Sequence, residues 1–180
     1  MSPVDDTDDA VEVSQLLEGA AKTIGRVSYC WLATDAKTGG ANLRPMGRLL
    51  PDPEEDNWTI RFITDGRSRK ASDIRRTAEV SVVFHHDESD AFVVVSGPAT
   101  LREGATEVRQ RWKAAYEVYF PTESDRANAA FVEVYVERME LWIRGITPEP
   151  FGLQPTILER DDGNAWRIGG FPQSVPSRSA

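Results

Sequence analysis

The sequence predicts a mainly β fold, a small antiparallel β-barrel carrying peripheral helices. Two observations lead there. About six strand-like runs rich in β-branched and aromatic residues follow one another in hairpin-like order. The helical segments are inserted between them instead of alternating one to one with strands, as a doubly wound parallel sheet would require.

Taken in order, the chain opens with an acidic stretch over residues 1–12, expected to be flexible. Val13, Leu16, Leu17, Ala20, Ala21 and Ile24 then recur at helical spacing, and Gly25 can end the helix. "RVSYCWLAT" reads as a strand, and the glycines of "DAKTGGAN" suit a turn between strands. "LRPMGRLL" and "NWTIRFIT" read as two more strands joined by the turn "PDPEED", with Pro45 at an edge or bulge because it has no N–H for a ladder. A helix is expected from near Ser68, then the strand "EVSVVF" with Val80, Val82 and Phe84 on one face, the charged loop "HHDESD", and "AFVVVSGPATL", a strand with a Gly-Pro break. Residues 107–119 fit a helix through Val108, Trp112, Ala115, Tyr116 and Tyr119. "FVEVYVERMELWIRG" alternates with period two, and residues 154–168 form a hairpin around Asp-Asp-Gly-Asn. The organisation is thus a main domain over residues 13–148 and a C-terminal hairpin extension with a tail over residues 149–180.

Composition narrows the function. With Asp+Glu 29 against Lys+Arg 21 and a formal net charge of -8, the chain lacks the broad positive field that nucleic acid or an anionic membrane needs. No apolar run approaches the roughly 20 residues of a membrane span. The single Cys30 has no internal disulfide partner and sits within an apolar run, so a buried thiol in a reducing compartment is expected, and with no targeting segment visible the expected location is cytoplasmic.

One stretch stands out against this acidic background. "ITDGRSRKASDIRR", residues 63–76, places Arg67, Arg69 and Lys70 around Ser68 where a helix begins. Ser68 is a good N-cap, but Arg69 and Lys70 oppose a helix dipole whose N-terminal end is already positive. A phosphate monoester would resolve the conflict, held by backbone N–H groups, a hydroxyl of Thr64 or Ser68, a guanidinium and an ammonium. The alternative is a solvated cluster pairing with Asp65 or Asp73. Arg44 would join the first reading if "LRPMGRLL" and "WTIRFIT" form a hairpin, and Gly47 would then let a flat ring approach the backbone.

Together, "RPM", "WTIRFIT", "SRKASDI" and "EVSVVF", followed by "VSGPATL", "RWKAAYEVYFP" and "MELWIRG", resemble the pyridoxamine 5'-phosphate oxidase-like flavoproteins, in particular the general stress protein branch of the FMN-binding split barrels. The resemblance covers residues 27–145. It implies a six-stranded split barrel and a homodimer with FMN in clefts between subunits. It places Arg44 at the phosphate with Arg69 and Lys70, Pro45 and Met46 along the flavin ring, Ile63 and Thr64 at a strand end beside it, and Trp142 on the ring from the other subunit. It also implies an FMN-dependent oxidoreductase of unassigned substrate, with a stress role as one setting.

Other features depart from the family pattern. The substrate-touching lysine of pyridoxamine phosphate oxidases is Leu49 here, their Arg-x-His element is replaced by "ITPEPFGLQ", and their flavin-facing glutamine falls on Phe92. Vitamin B6 oxidation is therefore disfavoured, and no catalytic residue is assigned. A non-catalytic FMN-storing or FMN-sensing module is the competing class, and deazaflavin- or haem-binding split barrels are a third. His85 and His86 lack a ligand set and read as a loop edge, so no metal is expected. Trp112, Tyr116 and Tyr119 read as packing residues.

Overall fold

In the computed structural model, which describes residues 5–51 and 58–170, the chain runs α1 (Asp5–Arg26), β1 (Tyr29–Asp35), β2 (Ala41–Gly47), β3 (Thr59–Asp65), α2 (Arg69–Thr77), β4 (Glu79–His86), β5 (Ala91–Arg102), α3 (Ala105–Arg111), α4 (Glu123–Ala127), β6 (Ala129–Tyr135), β7 (Arg138–Ile143), β8 (Thr156–Arg160) and β9 (Trp166–Ile168). Every strand pair is antiparallel. The fold is thus mainly β with peripheral helices, as expected.

Six strands make the barrel. β1 pairs with β2 and β4, β4 with β5, the second part of β5 with β6, and β6 with β3. Between β3 and β2 the described residues supply a single bridge, Leu49↔Arg61, in which the Leu49 N–H donates to the Arg61 carbonyl at 2.9 Å. That seam is the split, and β2 borders it as an edge strand. β7, β8 and β9 extend the sheet beyond β5.

β5 is continuous through Gly-Pro, but it changes partner there: residues 91–96 lie between β4 and β7, and residues 99–102 pair with β6. Gly97 makes the crossing possible, because a Cβ at this position would lie 2.0 Å from the carbonyl oxygen of Tyr135. Phe62, Phe84, Leu32, Val82, Val93, Val95, Val132 and Val134 fill the barrel, and Leu16, Ala20 and Ile24 of α1 pack onto the same core.

Several elements differ from the sequence expectation, each for a local reason. α1 begins at Asp5, well before Val13, since apolar periodicity reports burial and Val11 is exposed. β2 forms its hairpin with β1 and not with β3, because Gly39 and Gly40 adopt positive φ (90° and 77°) and close a tight turn. The expected helix over residues 107–119 is α3 followed by a 3-10 turn over Ala114–Val118, with Trp112 extended between them (φ −67, ψ 131). The break gathers Trp112, Tyr116, Phe120 and Phe131 into a second apolar cluster, in which Trp112 meets Tyr116 edge to face at 5.9 Å. Residues 131–145 divide into β6 and β7. β6 is buried on both faces because Val132 and Val134 enter the barrel while Ala129 and Phe131 enter the second cluster. His85 and His86 belong to β4, with His85 stacked on Phe92 at 4.2 Å. The hairpin β8–β9 forms as expected, its turn held by Asp161 Oδ1, which accepts from Gly163 N–H and Ala165 N–H. Most of the "PDPEED" turn, the first four residues and the C-terminal tail from residue 171 lie outside the described residues.

Candidate functional site

The seam between β2 and β3 opens into a cleft of about 530 Å³. Pro45, Met46 and Gly47 of β2 line one wall, Ile63 and Thr64 of β3 the other, and Lys70 of α2 one end. As an edge strand, β2 turns unpaired backbone groups toward this space.

α2 begins where the sequence places it. Ser68 is the N-cap (φ −67, ψ 155), and its Oγ accepts from the Ala71 N–H at 3.3 Å. No acidic residue occupies the first turn, so Arg69 and Lys70 stand unopposed at the positive end of the helix. Thr64, buried, holds its Oγ1 3.4 Å from Ser68 Oγ.

Arg44 reaches this helix even though β2 and β3 form no hairpin, because β1 carries β2 past α2. Its Nη2 donates to Thr34 Oγ1 at 2.9 Å and to Asp73 Oδ2 at 3.3 Å, while Thr34 Oγ1 and Asn42 Nδ2 donate to the same Asp73 oxygen at 3.0 and 3.1 Å. The Arg44 and Asp73 side chains are only 13% and 5% exposed. Burial works against the Asp73 carboxylate, but the bonds from Thr34 and Asn42 and the charges of Arg44 and Arg76 outweigh it and hold the carboxyl below its usual range. Nη1 of Arg44 is buried without any hydrogen-bond partner. A buried donor left unsatisfied costs about 1–3 kcal/mol.

Lys70 lies close enough to feel the Arg44 charge. Burial, and then the charge of Arg44, push its ammonium below the ordinary lysine range, with Asp65 opposing weakly. Asp65 is already committed: Arg67 clasps it through Nε at 3.0 Å and Nη2 at 2.6 Å, bonds that hold its carboxyl down at about 2. Arg67 is thus paired with Asp65 and Arg44 with Asp73, while no carboxylate lies within ion-pair distance of Lys70 among the described residues.

The cleft gathers Pro45, Met46, Gly47, Ile63, Thr64 and Lys70; Arg44 does not line it but lies near Lys70, and Ser68 does not line it either. Ser68 stands behind Thr64 with its hydroxyl engaged in the cap. Arg69 is exposed and does not line the cleft, although its charge acts on Arg44. Trp142 is not gathered. It lies on the outer face of β7, opposite Phe92 of β5, in a wholly apolar depression of about 300 Å³ with Val83 and Phe151. Tyr119 and Arg48 also line the cleft and were missed as site residues, as was Asp73, the anchor of Arg44. The alternation Arg44, Met46, Arg48 along β2 carries the signal for Arg48; Asp73 has none beyond its helix position. Of the packing expectations, Trp112 and Tyr116 hold, while Tyr119 is exposed. Among the described residues no cluster of His, Cys, Asp and Glu could hold a metal, and no helix is long and apolar enough to cross a membrane.

A family model described as pyridoxamine 5'-phosphate oxidase like matches residues 16–147. No curated protein matches the chain by sequence. Among solved structures, the chain resembles a pyridoxamine 5'-phosphate oxidase-related, FMN binding protein from Nostoc punctiforme (16% identity, 96% of this chain and 98% of that one, TM-score 0.63). It also resembles a protein from Clostridium acetobutylicum related to general stress protein 26 (15% identity, 81% and 94% covered, TM-score 0.64) and PhzG from Burkholderia lata in complex with tetrahydrophenazine-1-carboxylic acid (17% identity, 94% and 96% covered, TM-score 0.59). At these identities the structural likeness concerns the fold.

Proposed function

The chain belongs to the pyridoxamine 5'-phosphate oxidase-like family, and on that premise we propose that it binds FMN in the seam between β2 and β3 and acts as a flavin-dependent oxidoreductase on a small molecule. The observation that carries the cofactor assignment is the buried, unpartnered Nη1 of Arg44 beside a desolvated Lys70 at the N-terminus of α2. A phosphate dianion would supply the acceptor that Nη1 of Arg44 lacks and a counter-charge for Lys70.

In this reading Arg44 and Lys70 neutralise the phosphate, with Asp73 fixing the guanidinium so that little ordering is lost on binding. Thr64 offers a hydroxyl to the same group. Pro45, Met46 and Gly47 form a wall against which a planar ring lies, with the free edge of β2 available to its polar atoms. When bound, FMN supplies hydride and electron transfer; the protein contributes binding, orientation and electrostatics.

A second copy of this chain is the proposed partner. The outer face of the sheet exposes Tyr29 (72%), Trp31 (49%) and Leu43 (56%), and the register joins them to Val83, Phe92 and Trp142 across β1, β4, β5 and β7. Exposed aromatic and aliphatic side chains gathered on one sheet face are suited to an interface. Trp142, remote from the cleft in its own chain, would serve the site of the other copy.

Extraction and mass analysis of the cofactor from purified protein tests the assignment. FMN at one equivalent per chain is expected; a deazaflavin, haem or no cofactor refutes it. The competing reading, a flavin carrier or sensor, draws on the fact that, among the described residues lining the cleft, the one carboxylate, Asp65, is bound to Arg67 and the one lysine, Lys70, faces the phosphate end. Stopped-flow reduction by NADH and NADPH separates the two, and no acceleration over free FMN would remove support for a nicotinamide-linked enzyme.

A further inference from the structure

Arg48 is the cation that the phosphate reading leaves unused. It lines the same cleft four residues beyond Arg44, about 13 Å along an extended strand. Its side chain is half-buried, and what surrounds it is neutral. Nη2 donates to the carbonyl of Ile24, in the last turn of α1, at 3.4 Å, and Nη1 to the carbonyl of Leu49 at 3.5 Å. Both bonds are long, and Nε is buried with no partner. Five partly buried arginines differ in this respect: Arg44, Arg61, Arg102, Arg111 and Arg138 each lie within 4 Å of a carboxylate. Among the described residues Arg48 has none.

A cation at a helix C-terminus is favourable, and capping α1 accounts for Nη2. It does not account for the orphaned Nε or for the position of the side chain against the cleft. A charge buried without a counter-charge is retained where a negative group visits the site.

The separation of the two arginines defines what visits. A mononucleotide anchored by its phosphate at Arg44 and Lys70 extends its ring along Pro45, Met46 and Gly47 and ends at Arg48. The flavin ring is neutral when oxidised and carries one negative charge, on its pyrimidine side, after taking up a hydride, that is, two electrons and a proton. Resting on the FMN assignment above, we infer that Arg48 faces the pyrimidine edge of the ring and binds the reduced, anionic cofactor more tightly than the oxidised one, making this protein's flavin a better electron acceptor than free FMN. Against the methylated edge of the ring, the charge would be desolvated with nothing gained.

The test compares wild type, Arg48→Gln and Arg48→Lys, each reconstituted with FMN. Arg48→Gln keeps a donor for the Ile24 carbonyl and removes the charge; Arg48→Lys keeps the charge. The readouts are the FMN dissociation constant, the midpoint potential by equilibration with a reference dye under xanthine oxidase reduction, and the melting temperature of the apoprotein. Arg48→Gln is expected to lower the affinity for reduced relative to oxidised FMN about tenfold, equivalent to a fall of about 30 mV in the two-electron potential. Arg48→Lys is expected to recover most of it. FMN bound at wild-type potential by Arg48→Gln, or Arg48→Lys as low as Arg48→Gln, overturns the inference and leaves the FMN assignment standing. A wild-type protein that takes up no FMN overturns the assignment and this inference with it. A lower melting temperature in Arg48→Gln with an unchanged potential assigns Arg48 to the cap of α1 alone.

Discussion

Replacing Lys70 with Met should move ligand affinity and apoprotein stability in opposite directions. Methionine keeps an unbranched stem of similar length and removes the ammonium. In the apoprotein that ammonium is desolvated, is repelled by Arg44, and has for a neighbouring carboxylate only Asp65, which Arg67 already holds. Its removal should stabilise the apoprotein by about 0.5–1 kcal/mol, at the low end of the gains obtained by relieving a strained functional site. For a chain of 180 residues this corresponds to a rise of about 1–4 °C in melting temperature. Against FMN, the same change removes a charge-assisted hydrogen bond of about 1.5–3 kcal/mol, which weakens binding about 10- to 150-fold. The pH dependence follows with a definite sign. The folded Lys70 pKa lies below the unfolded value, so between the two the unfolded chain holds more protons and stability rises with pH; below the folded value the penalty is fully present. FMN affinity runs the other way in wild type, falling as pH climbs toward the lysine range, and this fall should vanish in the variant. Differential scanning fluorimetry of the apoprotein and fluorescence titration with FMN from pH 7 to 10 read both quantities. A variant that binds FMN as tightly as wild type and melts lower would refute the reasoning, because Lys70 would then be a structural cation.

Other perturbations examine the frame around the site. Arg44→Ala should weaken FMN binding by about 1–3 kcal/mol and, by leaving Asp73 buried without its main cation, destabilise the fold by about 3 kcal/mol. Adding Asp73→Asn should restore stability in urea unfolding but not FMN affinity, and recovery of both would reassign the pair as purely structural. Gly97→Ala drives a Cβ into the Tyr135 carbonyl and should destabilise by about 3 kcal/mol or more, measured by chemical unfolding; a near-neutral result would mean that β5 does not cross between sheets there. Trp31→Glu places a carboxylate in the exposed apolar face, and analytical ultracentrifugation should show a dimer becoming a monomer with unchanged circular dichroism. A monomeric wild type would dismiss the proposed interface.

Much of the fold and of the basic end of the cleft was legible in the chain itself, because both are written in local terms. Strand alternation, the N-cap at Ser68 and the anomaly of Arg69 and Lys70 at the start of a helix need no knowledge of distant residues, and they place α2 and β4 correctly. Local signals failed where the deciding neighbour lay far along the chain. The helix over residues 107–119 breaks because Trp112 and Tyr116 pack with Phe131.

What the sequence determined by itself was the fold class and the presence of uncapped cations at a helix start, since periodicity and helix-end electrostatics act within a few residues. Only the tertiary structure decided which cations those are. It gave Arg67 to Asp65, fixed Arg44 on Asp73 and left Nη1 of Arg44 and Nε of Arg48 buried without partners, because an unmet hydrogen bond is a property of the space around an atom and that space is assembled from strands and helices distant in sequence.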